Sequence, residues 1–310
     1  MKPHKFVLVA LVLFGLSSFG SAYPIPPQPL RRLCMESQFI VVATVEGSAS
    51  PNRAESVSEG KARLRISSVL KGSIDKRVIE VAYSPNMVCP APPSYPRGST
   101  VIAFLDRSRG EKFFTTHGLS YGSKVLSESE LVIYVERISE ILEILSHGDS
   151  PEKEKQTTEW LVRCAEEPAT RWEGAYELSP GGSLMSFYEK EEPHDFAAMI
   201  TEEQKSRLSS ALFRSTTISS EDFCLINLLK DDEGERLVVF ILRYLKNVVN
   251  DPPYYTDQLM AFISDKLGNK EALELTREFS DLDLLDDKEG KQRKRMLSDF
   301  IALIERRMTA

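Results

Sequence analysis

The chain has 310 residues, a formal charge of −7 and 42% hydrophobic residues, enough apolar side chain for one large domain or two ordinary ones. An acidic balance argues against a phosphate-binding surface, which needs concentrated Lys and Arg, and so against nucleic acid as a partner. Four cysteines is an even number, as a disulfide framework requires, and allows three pairings.

Lys2 and Lys5 precede an apolar run from Phe6 to Leu16, and Gly20-Ser21-Ala22 supplies small residues at a cleavage position. Residues 1–22 therefore read as a secretory signal peptide. The run is shorter than the roughly 20 residues a membrane span needs. The expectation is an exported protein, periplasmic or extracellular, with no stable membrane insertion after cleavage. In such an oxidising compartment disulfides persist. Pairing within each expected domain favours Cys34–Cys89 and Cys164–Cys224, against the alternative of buried free thiols.

Residues 23–33 begin with four prolines between Tyr23 and Pro29 and read as an extended leader. Residues 34–126 hold about five strand-like runs. Phe39 to Val45 is continuously apolar and β-branched, the pattern of a buried strand. Lys61 to Leu70 alternates, with Ala62, Leu64, Ile66 and Ser68 on one face, the period of a half-buried strand. Arg77 to Tyr83, Val101 to Leu105 and Lys112 to Thr116 complete the set. Ser84 to Gly98 is a stiff, proline-rich loop.

The period then changes. Leu131, Tyr134, Val135, Ile138, Ile141, Leu142 and Leu145 recur at three- and four-residue spacing, an amphipathic helix with Ser127 or Ser129 as N-cap. Residues 127–156 read as this helix plus a charged linker from His147 to Gln156. Residues 157–310 read as successive helices, with a capping box at Thr201-Glu-Glu-Gln204 and Gly268 at a C-cap position. The fold class is an α+β multidomain chain: an N-terminal five-stranded β-barrel followed by an all-α array of helical hairpins.

Chemical motifs are sparse. Gly118-Leu-Ser-Tyr-Gly122 matches a nucleophile elbow, with His147 or His194 as its base, but no βαβ alternation surrounds it. A glycine-rich turn is the simpler reading of the motif. His117, His147 and His194 lack ligand-spaced companions and read as solvated loop residues, so no metal site is expected. Asp281 to Asp287 lacks the Gly and Glu of a calcium loop and reads as an acidic turn. Lys288, Lys291, Arg293, Lys294 and Arg295 read as a solvated helix face. No phosphate-cradling loop or dinucleotide fingerprint is present, and no cofactor is expected.

Cys34, Phe39 to Val45, the strand ending Val69-Leu-Lys-Gly72, Cys89, and Gly98-Ser-Thr-Val-Ile-Ala-Phe-Leu105 together resemble the OB-fold domain of the tissue inhibitor of metalloproteinases superfamily, in its divergent bacterial form. The resemblance spans about residues 30–125 and implies an OB-like barrel. It also implies protease inhibition, through the free amine and carbonyl of a Cys at the mature N-terminus. Cys34 would follow Tyr23 to Leu33 and lacks that free amine. The helical half is loosely similar to the HEAT class, which implies a protein-binding scaffold.

The expected function is an exported, non-enzymatic binding protein whose partner is another protein. The expected surface is Pro90, Pro92, Pro93 and Tyr95 of the proline-rich loop, with Arg171 and Trp172. The alternatives are a protease inhibitor and a serine hydrolase using Ser120.

Overall fold

The computed structural model describes residues 25–49, 60–85, 91–107, 113–183, 194–282 and 290–309. The expected signal peptide, Cys89, Pro90, Lys288 and most of the acidic turn lie outside them.

Five strands close a barrel: β1 (Phe39–Ala49), β2 (Gly60–Lys71), β3 (Val78–Tyr83), β4 (Thr100–Arg107) and β5 (Phe114–Thr116). Their order is β1-β2-β3-β5-β4 and back to β1, with β3 and β5 parallel and the other neighbours antiparallel. This is an OB-like closure, in which β5 pairs with residues 105–107 of β4 and leaves the edge of residues 101–103 to a further strand. A sixth short strand, β6 (Ser123–Val125), adds to β4 outside the ring.

The apolar runs of the sequence have a direct structural cause. In β1, Val41, Ala43 and Val45 point into the barrel, while Ile40 and Val42 point out into a second core shared with the helices. β4 does the same, with Val101, Ala103 and Leu105 inside and Ile102 and Phe104 outside. A strand covered on both faces needs apolar residues at every position. β2 faces solvent on its outer side, so it alternates: Ala62 and Leu64 are buried, Arg63 and Arg65 exposed. Register shifts in its pairing with β1 turn the far half of β2, so Ser68 is exposed and Leu70 packs on the shared core.

The leader is not extended throughout. Its last residues form α1 (Leu30–Glu36), whose Leu30, Leu33 and Cys34 are buried in the shared core. Seven residues are too few to hold a helix alone. Lys71, at the end of β2, donates from Nζ to the carbonyls of Cys34 (2.7 Å), Met35 (3.1 Å) and Ser37 (2.6 Å). A cation there satisfies orphan carbonyls and the negative end of the helix dipole.

After the barrel come α2 (Glu128–Ser146), α3 (Pro151–Glu166), α4 (Arg171–Leu178), α5 (Glu202–Phe213), α6 (Phe223–Leu229), α7 (Gly234–Val248), α8 (Thr256–Leu267), α9 (Lys270–Ser280) and α10 (Lys291–Thr309). Sequential helices pack on one another from α1 to α4, α5 packs on α6, and α7 to α10 pack in sequence. Ser127 forms a capping box with Glu130, Thr201 another with Gln204, and Gly268 closes α8 at φ 57°. The expected linker is shorter than its charge suggested, because α3 starts at Pro151. Ser150 caps it, Pro151 takes the first turn, and Glu152 and Glu154 favour its positive end. α3 and α4 approach so closely that a Cβ at Gly174 would run into the Leu161 carbonyl oxygen. Among the described residues, no helix is long and apolar enough to cross a membrane.

The expected disulfides need correction. Cys34, Cys164 and Cys224 are buried free thiols, so Cys164 and Cys224 are not bridged, and the partner expected for Cys34 lies outside the described residues. Each thiol sits on an apolar helix face, where burial suits it as a small hydrophobe. Burial pushes all three thiols up, Cys224 to about 12.

Candidate functional site

Where the barrel meets the helices, a cleft of about 770 Å³ opens between β6, the turn before it, α2 and the start of α4. Its floor is organised by one carboxylate. Glu173, almost fully buried on α4, accepts from the Leu30 backbone N–H (2.7 Å), Lys124 Nζ (2.6 Å) and the Tyr134 hydroxyl (3.1 Å). Those three donors belong to α1, β6 and α2. One turn along α4, Glu177 accepts from Arg31 Nε (2.7 Å), a second tie to α1. A buried carboxylate is tolerated only when paired and hydrogen-bonded in this way.

The wall is aromatic. Tyr121 and Trp172 stack with ring centroids 5.6 Å apart and planes 14° from parallel, and Tyr176 lies behind Trp172 at 5.3 Å. Lys124 Nζ is 5.9 Å from the Trp172 ring centre. Tyr254, 67% exposed, stands at the rim. Glu221 also lines the cleft. Loss of water holds its carboxyl above the usual range, helped by Asp222 and Glu173 and opposed by Lys124 and Arg171.

The expected surface is divided by this arrangement. Trp172 lines the cleft. Arg171 does not: it is buried, with Nη1 2.9 Å from Asp222 Oδ1, and ties α4 to the turn before α6. Pro92 is half-buried, and Pro93 and Tyr95 are buried. Tyr95 plugs the barrel, its hydroxyl 2.7 Å from Thr116 Oγ1. The proline-rich loop thus turns its bulkiest side chain inward, and a Tyr among prolines carries no periodic signal of that direction.

Ser120 lies on a 3-10 turn, Leu119–Gly122, that runs into β6 rather than an α-helix. The positive φ values fall at Gly118 and Leu119, not at the serine, so the strained serine of a nucleophile elbow is missing. Ser120 lines the cleft, but neither His147 nor His194 does. His117 is not a solvated loop residue. Its Nδ1 is 2.7 Å from Asp106 Oδ2 and its Nε2 3.3 Å from Glu36 Oε2, pinning α1 to β4.

No protein-family model matches the chain, and no curated protein matches it. The barrel is compatible with an OB-like fold, and nothing in these comparisons supports the resemblance to the metalloproteinase inhibitors. In this fold Cys34 is buried inside α1 and its carbonyl oxygen is held by Lys71. Among the described residues no group of three or more His, Cys, Asp or Glu side chains is arranged to hold a metal ion.

Sequence reading found Trp172 and, through the Gly-x-Ser-x-Gly motif, the turn that carries Tyr121. It missed Lys124, Glu173, Glu221 and Tyr254. The available signal was the pair of unbroken apolar runs at β1 and β4, which require a second layer against the barrel.

Proposed function

We propose that this chain is an exported, non-enzymatic binding protein, that its partner is another protein, and that the partner engages the cleft between barrel and helices. The observation that carries this reading is the Tyr121–Trp172 aromatic wall, set in a cleft of about 770 Å³ whose floor is fixed by the buried Glu173 hub. Aromatic anchors in a concave, preformed site are the usual carriers of binding energy. Export rests on the sequence of residues 1–22, and the non-enzymatic reading on the absence of an elbow and base around Ser120. The resemblance to protease inhibitors has less support, since Lys71 occupies the carbonyl of Cys34.

The test is affinity capture on immobilised mature protein from an extract of its own compartment. Tyr254→Ala removes an exposed ring, and Trp172→Ala removes the wall. Val239→Ala, an exposed change on α7, is the control. Partners held by the wild type and the control are expected to fall about tenfold with either cleft variant, the scale of losing one anchor. Equal recovery from all four proteins, each with an unchanged melting temperature, would overturn the cleft assignment.

A further inference from the structure

Resting on that reading of the cleft, we propose that it recognises a cationic side chain, an arginine guanidinium above all, presented on an extended peptide segment of the partner. Three observations converge on this ligand.

The first is charge. The ionisable carboxylates and ammonium lining the cleft are Glu130, Glu173, Glu221 and Lys124, three carboxylates against one ammonium. Lys124 is committed to Glu173 at 2.6 Å, both side chains shielded from water. Glu130 is committed to the Ser127 cap, an arrangement that favours its ionised form. Asp222, behind Glu221, is neutralised by Arg171. Glu221 is left over: the residue is exposed overall, its carboxylate is partly withdrawn from water, and that carboxylate makes no hydrogen bond or ion pair among the described residues.

The second is the wall. Aromatic faces carry negative potential and attract cations, and a planar guanidinium can stack on a ring while its edge meets a carboxylate. Trp172 already lies near one cation, Lys124. The third is size. At about 770 Å³ the cleft holds an arginine side chain with ample room for the peptide on either side of it. The chain's charge of −7 adds a long-range pull on basic partners.

A pH dependence follows with a definite sign. Burial holds the Glu221 carboxyl above its ordinary range, with the charges of Asp222 and Glu173 adding to the shift and those of Lys124 and Arg171 opposing it. Only its ionised form pairs with a cation. Affinity therefore rises with pH as Glu221 ionises, and bound cation shifts that titration downward.

The experiment titrates the full mature chain with acetyl-Gly-Arg-Gly-amide, its citrulline and glutamate counterparts, and free arginine amide, following tryptophan emission. Trp160 is fully buried, so the change reports Trp172. The arginine peptide is expected to bind at least about tenfold more tightly than the citrulline peptide, a difference of one charge at constant shape. It is also expected to bind more tightly than free arginine amide. Glu221→Gln is expected to remove the arginine preference and the pH dependence while leaving the citrulline peptide unaffected. Equal binding of the arginine and citrulline peptides, or an unchanged preference in Glu221→Gln, overturns the cation assignment and leaves the cleft standing as a binding site. Failure of the cleft itself is read separately, by undiminished partner capture in Tyr254→Ala.

Discussion

Glu173 joins three elements with one carboxylate, and nothing in the sequence marks it. It is one of 46 acidic residues, it neighbours Arg171 and Trp172, and it lies in no motif. Its partners, Leu30 and Lys124, are distant in the chain, so only the folded structure reveals the joint. Arg171 illustrates the converse. Its residue type suggested a binding anchor, yet its charge is consumed by Asp222 inside the fold. Removing Glu173 leaves a shielded ammonium and a buried N–H without partners. Glu173→Ala is expected to cost about 3–5 kcal/mol, the scale for breaking a buried ion pair, with Glu173→Gln costing less because it keeps an acceptor. Urea unfolding midpoints measure both. A change below about 1 kcal/mol for the alanine variant would show that the joint does not depend on this carboxylate.

At the scale of elements, strands and long helices were legible because burial imposes a period. The alternation of β2 and the seven apolar positions of α2 are direct images of one covered face. Elements stabilised by something outside themselves were not legible. α1 is too short to show a period and depends on Lys71, distant in sequence, for its cap. β6 has three residues and exists because β4 offers it an edge. The start of α3 was readable from Ser150-Pro151 but was masked by the charge around it. Gly174 gives an element-level prediction of opposite sign to propensity. Alanine is favoured over glycine inside a helix by about 1 kcal/mol. A methyl there would press on the Leu161 carbonyl oxygen, so α3 and α4 must separate. Gly174→Ala is therefore expected to destabilise by about 1–3 kcal/mol, as overpacking does, and thermal unfolding checks it. A stabilised variant would mean that the two helices are not held at this distance.

At the scale of the molecule, the sequence suggested two domains joined by a linker, and the structure has two kinds of architecture sharing a core. Ile40, Val42, Ile102 and Phe104 on the barrel's outer face belong to the same cluster as Trp160, Leu161 and Leu225 of the helices. The unbroken apolar runs of β1 and β4 carried this information, since a free-standing barrel would show polar residues at alternate positions. The cleft exists because this interface is fixed. Its aromatic wall takes Tyr121 from the barrel side and Trp172 from the helical side, and separating the two would dismantle it. The central claim is thus that barrel and helices form one body with a preformed cleft between them. Denaturant unfolding of the chain without residues 1–22 tests it most directly, in a Trp160→Phe variant that leaves Trp172 as its one indole, followed at once by far-ultraviolet circular dichroism for the helices and by Trp172 emission for the junction. The account predicts superimposable transitions with a single midpoint. Loss of the Trp172 signal at a clearly lower denaturant concentration than loss of the helices would contradict it.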